Sequence, residues 1–152
     1  MKEIPLADLL KQKTWDKDVV LWHGPVERLR GWLGARPTVE LDLLDVVPSD
    51  FDPAADTSHV NDTFRRALDE RLQAIEASRK GAQVLIVRSA PLLERFGVGA
   101  RPFYDWHAGS QTMTILAVEG FATEMDFPPE VEYDGHRLRN YFEQIVKARV
   151  VE

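Results

Sequence analysis

Gln83-Val84-Leu85-Ile86-Val87 decides the fold. Four apolar residues follow one another here without a polar break. A strand wet on one face alternates polar and apolar side chains, whereas a strand covered on both faces has no reason to alternate. The run therefore predicts a strand in the middle of a parallel sheet. Such a sheet needs helices on both faces, and the flanking sequence supplies them.

Upstream, Phe64, Leu68, Leu72 and Ile75 recur at helical spacing, which predicts an amphipathic helix. Asn61 or Asp62 suits its N-cap. Basic Arg79 and Lys80 followed by Gly81 suit its end near residue 80. Further back, Thr38 to Leu43 alternates and reads as a strand, and Val46 to Ser58, with Pro48 and Pro53, reads as a loop. Val26, Leu29 and Leu33 share one face of a helix that Gly34 caps and Pro37 stops. Asp18 to Trp22 reads as a buried strand stopped by Gly24-Pro25, and residues 1–17 as a short helix carrying Leu6, Leu9 and Leu10.

Downstream, Pro91 to Phe96 is a short helix or turn, Gly97 to Gly109 a loop, and Thr112 to Val118 a fourth strand. Val131 to Tyr133 is expected as a short edge strand before a final helix from about Leu138 to Val146. Strands alternating with helices imply right-handed crossovers in a mostly parallel sheet. The expected fold is a single α/β domain over residues 1–152, a three-layer sandwich with four to five strands.

Composition narrows the function classes. There is no Cys, which excludes disulfides, thiolate nucleophiles and Cys-based zinc sites. The N-terminus lacks a basic segment followed by an apolar one, so no signal peptide is read there. No apolar run approaches the roughly 20 residues that span a bilayer. The expected location is the cytoplasm, with no membrane contact. The net charge of −6 is opposite to the basic surplus by which proteins neutralise phosphates, so nucleic acid is not expected as the principal ligand.

The turn after the first strand stands where a phosphate loop would. Its sequence is His23-Gly24-Pro25-Val26-Glu27-Arg28-Leu29-Arg30-Gly31. A working loop reads G-x-x-x-x-G-K-[ST]. Counted from Gly24, Leu29 takes the second glycine, Arg30 the lysine and Gly31 the hydroxyl position. After the apolar run at 84–87, where a magnesium-holding acid would stand, the residue is Arg88. The two departures are independent, and both argue against ATP hydrolysis.

The order of elements nevertheless resembles the small P-loop protein of bacteriophage-exclusion (BREX) defence systems. The matching stretches are Val19 to Gly24, Val39 to Leu43, Val84-Leu85-Ile86-Val87 with Pro91 to Phe96, and Thr112 to Gly120. The resemblance covers roughly residues 15–121 and rests on element order and apolar pattern. It implies a P-loop-NTPase-like scaffold that has lost its nucleotide chemistry and serves inside a multi-protein phage-defence assembly.

Other constellations give less. His23, His59, His107 and His136 show no metal-ligand spacing. His23 alone falls at a strand end, where such sheets face ligand crevices. Glu40 and Asp42 share a strand face, but no Lys follows within residues 43–55 to complete a nuclease core. Ser49, Ser58, Ser78, Ser89 and Ser110 lack a G-x-S-x-G elbow. Arg65, Arg66, Arg71, Arg79 and Lys80 read as the solvated face of the central helix rather than a nucleic-acid stripe. Arg101-Pro102-Phe103-Tyr104-Asp105-Trp106-His107 is unusually aromatic for a loop. Phe103 and Trp106 either tuck under the sheet as core or, with Arg101 and Tyr104, anchor a partner protein.

The sequence thus points to a non-catalytic interaction or regulatory subunit with no cofactor, its partners other protein subunits and its partner surface Arg101, Phe103, Tyr104 and Trp106. The alternative is a nucleotide-binding protein or weak NTPase taking Mg-ATP. There Gly24, Arg28 and Arg30 would hold phosphates, and Glu40 or Asp42 magnesium.

Overall fold

A computed structural model of the chain describes residues 2–12, 19–47, 49, 58–105, 111–118, 141–146 and 148–152. The strands are β1 (Lys2–Pro5), β2 (Val19–His23), β3 (Thr38–Asp42), β4 (Gln83–Arg88), β5 (Thr112–Val118) and β6 (Ala148–Val151). The helices are α1 (Leu6–Leu10), α2 (Val26–Leu33), α3 (Ser58–Ala77), α4 (Leu92–Arg95), α5 (Arg101–Asp105) and α6, described over residues 141–145. A single 3₁₀ turn, Leu43–Asp45, follows β3. No helix among the described residues is long and apolar enough to cross a membrane.

The strands form one six-stranded sheet in the order β1-β6-β2-β5-β4-β3, and every pairing is parallel. The steps β1 to β2 and β2 to β3 run one way across the sheet, and the steps from β3 through β4 and β5 to β6 run back. A uniform crossover hand then places α1 and α2 on one face and the later helices on the other. The two cores divide in that way. Leu6, Leu9, Val26, Leu29 and Leu33 join Val20, Trp22, Val84, Ile86 and Ile115. Phe64, Leu68, Leu72, Leu92, Phe96, Phe103 and Phe142 join Val19, Leu21, Leu85, Val87 and Leu116. β4 therefore buries alternate side chains in opposite cores, which is why its sequence shows no alternation.

Several boundaries differ from the sequence expectation. Residues 2–5 form an edge strand instead of starting a helix, because β6 offers them a four-pair ladder and Arg149 forms an ion pair with Glu3. β6 was not expected at all, and it brings the strand count to six. α3 begins at Ser58, ahead of the Asn61 or Asp62 cap. Residues 101–105, read as loop, are the short helix α5. The strand expected at 131–133 lies outside the described residues.

Candidate functional site

In an open parallel sheet, the connections leaving two neighbouring strands part to opposite faces at one place, and the carboxyl ends of those strands flank a crevice there. Here the two strands are β2 and β5. β2 leads into α2 on one face, and β5 leads back toward β6 past the other. The β2–α2 turn, the one singled out in the sequence, stands at this point.

The turn is closed by its own residues. Trp22, 2% exposed, donates its indole N–H to the Pro25 carbonyl at 3.2 Å. Gly24 has φ +149°, and a Cβ there would lie 3.4–3.5 Å from the Trp22 ring. Pro25 caps α2 and brings no N–H. Glu27 puts a carboxylate in the first turn of α2, where the helix dipole would otherwise favour an anion. His23 is half-buried at the end of β2.

The two arginines assigned to phosphate contact are held elsewhere. Arg28 forms an ion pair with Glu152, beyond β6. Arg30 donates Nε and Nη2 to the two oxygens of Glu40 at 2.7 and 2.6 Å, and also meets Glu27. The fork-on-carboxylate geometry raises the Arg30 pKa. It holds that of Glu40 below its ordinary value, against the opposing pull of desolvation and with help from the charges of Arg30 and Arg88. Glu40 is thereby committed to an arginine rather than offered to a metal. Asp42 accepts the Ser89 hydroxyl at 2.7 Å and the Leu44 N–H at 3.0 Å through one oxygen. No group of three metal-ligating side chains is present among the described residues.

Arg88 ends β4, half-buried, and is paired in register with Asp42. Ser89 follows with φ 58°, the single positive φ of a non-glycine residue among those described. Nothing in the sequence pointed to the Ser89–Asp42 bond. It is non-local and depends on β3 and β4 being neighbours.

The aromatic segment separates. Phe103 is 1% exposed in the α3-side core, so it is not a surface anchor. A short helix turns its ring inward, where burial of a large aromatic is most favourable. Tyr104 is half-buried against the same core, and Arg101 is exposed. Trp106, His107 and His136 lie outside the described residues, as does the side chain of His59. The four proposed anchors are thus not shown as one surface. No protein-family model, curated protein or solved structure matches the chain.

Proposed function

We propose that the chain is a non-catalytic interaction or regulatory subunit on a degenerate P-loop-like scaffold, serving in a bacterial phage-defence assembly. One observation carries the reading. At the crevice between β2 and β5, the groups that a phosphate would use have partners within the protein. Pro25 withholds an N–H, Glu27 occupies the positive end of α2, and Arg28 and Arg30 are spent on Glu152, Glu27 and Glu40. A nucleotide would compete with three carboxylates for Arg28 and Arg30. The defence assignment is supported by the order of elements and apolar runs described above.

Two measurements test it. A ligand at a hundredfold excess over its Kd stabilises by about 2.7 kcal/mol, a shift readily seen on melting. Mg-ATP and Mg-GTP are expected to leave Tm unchanged, and a clear rise would make the chain a nucleotide-binding protein instead. Mixed with the purified products of its neighbouring genes, the chain should co-elute with one of them on size exclusion. Elution alone in every mixture would remove the subunit assignment.

A further inference from the structure

We propose that Arg88, at the carboxyl end of β4, anchors a binding site for a small ligand that carries a single carboxylate. The site goes beyond the subunit reading and calls for no partner protein.

Arg88 stands apart from the other half-buried arginines. Arg30, Arg79 and Arg149 are also half-buried, and each holds a carboxylate. The Arg88 side chain makes no hydrogen bond and no ion pair among the described residues. Drawing a guanidinium partly out of water costs free energy, and here no acceptor of the protein offsets it. None of its nitrogens is sealed from solvent, so a ligand can reach them.

The nearest acids are turned elsewhere. Asp42 is the register partner of Arg88 on β3, but it is not its ion-pair partner. One oxygen of Asp42 accepts the Ser89 hydroxyl and the Leu44 N–H. Glu40 is gripped by the Arg30 fork and feels Arg88 only as a charge at a distance. Ser89, the next residue, holds φ 58°. Strained backbone of this kind persists where the surroundings fix it, and it collects beside ligand sites. The Ser89–Asp42 bond fixes it here, and the same bond directs Asp42 to the turn instead of to Arg88.

The place of Arg88 in the sheet suits a ligand. Val84 and Ile86 belong to the α2-side core, so by alternation Arg88 leaves β4 on that side. One strand over, the register Val87↔Leu116 continued by one pair sets Ala117 beside it, and Trp22 is paired with Ala117 on β2. The row across the α2 side is therefore Asp42, Arg88, Ala117 and Trp22, with the small residue between two large ones. It lies at the carboxyl ends of the strands, where open parallel sheets receive ligands.

The charges choose the ligand. A guanidinium fork matches the two oxygens of a carboxylate. Arg30 is already spent on Glu27 and Glu40, so one cation is left to meet the ligand, with Glu40 and Asp42 on the same side of the sheet. A monoanion fits that balance, whereas the second charge of a dianion is repelled by the two acids.

The Nε–Hε signal of Arg88 in a nitrogen–proton correlation spectrum reads the site directly, and Arg88→Lys identifies that signal by removing it. The spectrum is followed with sodium acetate, sodium sulfate and sodium chloride at constant ionic strength. Acetate should move the signal along a saturable curve, together with the amides of Arg88, Ser89 and Ala117. Sulfate, a tetrahedral dianion, should bind several-fold more weakly, and chloride should give no saturable change. Arg88→Lys keeps the charge and loses the fork. Read from the amides, it should weaken acetate binding about tenfold, the worth of one charge-assisted hydrogen bond. No saturation with acetate, an equal response to chloride, or unchanged affinity in Arg88→Lys overturns the proposal. Tighter binding of sulfate would make the site one for phosphate-like dianions and overturn the carboxylate assignment. The salt series on the unaltered chain decides by itself if the variant does not fold.

Discussion

Ser89 holds φ 58° with a side chain that has no conformational reason to be there. A left-handed L-residue costs about 1–2 kcal/mol, and the hydroxyl bond to Asp42 returns part of it by tying the ends of β3 and β4 together. The balance gives a two-variant test. Ser89→Ala keeps the strain and loses the bond, and should cost about 1 kcal/mol. Ser89→Gly loses both and should be close to neutral. Urea midpoints compare them: equal losses would mean the positive φ carries no strain, and an unchanged Ser89→Ala midpoint would mean the bond is worth nothing. Glu40 yields a pH test. Its folded pKa lies below the ordinary value of 4.5 because the Arg30 fork stabilises the carboxylate. Protons therefore bind the unfolded chain more readily. The Arg30–Glu40 contribution is whole above 4.5 and fades as pH falls through the folded value. Wild type should exceed Glu40→Gln in urea midpoint at neutral pH and approach it on acidification. A gap that does not narrow would assign the loss to packing.

At the scale of elements, the fate of α5 separates core from surface. Phe103→Ala should cost about 3–5 kcal/mol, as burial of its whole ring implies, and Tyr104→Ala distinctly less, since its ring is half-exposed. Comparable small losses would place Phe103 at the surface after all. The same contrast explains what the sequence made legible. Elements with their own period could be read. Phe64, Leu68 and Leu72 are all buried along α3, and the run at 84–87 is buried on both faces. β1 and β6 could not be read, because neither has a strand signature by itself. β1 buries none of its four residues fully and exists through its ladder to β6. The aromatic segment was ambiguous because composition says which residues are large, not which way a short helix turns them. At the crevice, the missing motif residues were visible from the start. The ion pairs that occupy Arg28 and Arg30 were not, since Glu152 and Glu40 reach them only through the sheet order.

For the molecule as a whole, the last strand in the sequence is an interior strand of the sheet. β6 gives four pairs to β1 and three to β2, while Ala148 and Val150 pack with Leu6 and Leu9 of α1. The N-terminal strand is thus held by the C-terminal one, and α1 packs partly against it. On the other side, β2, β5, β4 and β3 pair through ladders that β6 does not touch. Local stability should follow this division, because regions open in units set by their contacts. Truncation after Lys147 removes β6 and the Arg28–Glu152 pair together. Hydrogen exchange should then show full loss of protection at residues 2–5, partial loss along β2, and retained protection along β4 and β5. If β4 and β5 lost protection to the same degree, the sheet would be one cooperative unit and β6 its keystone, not the clasp of one edge.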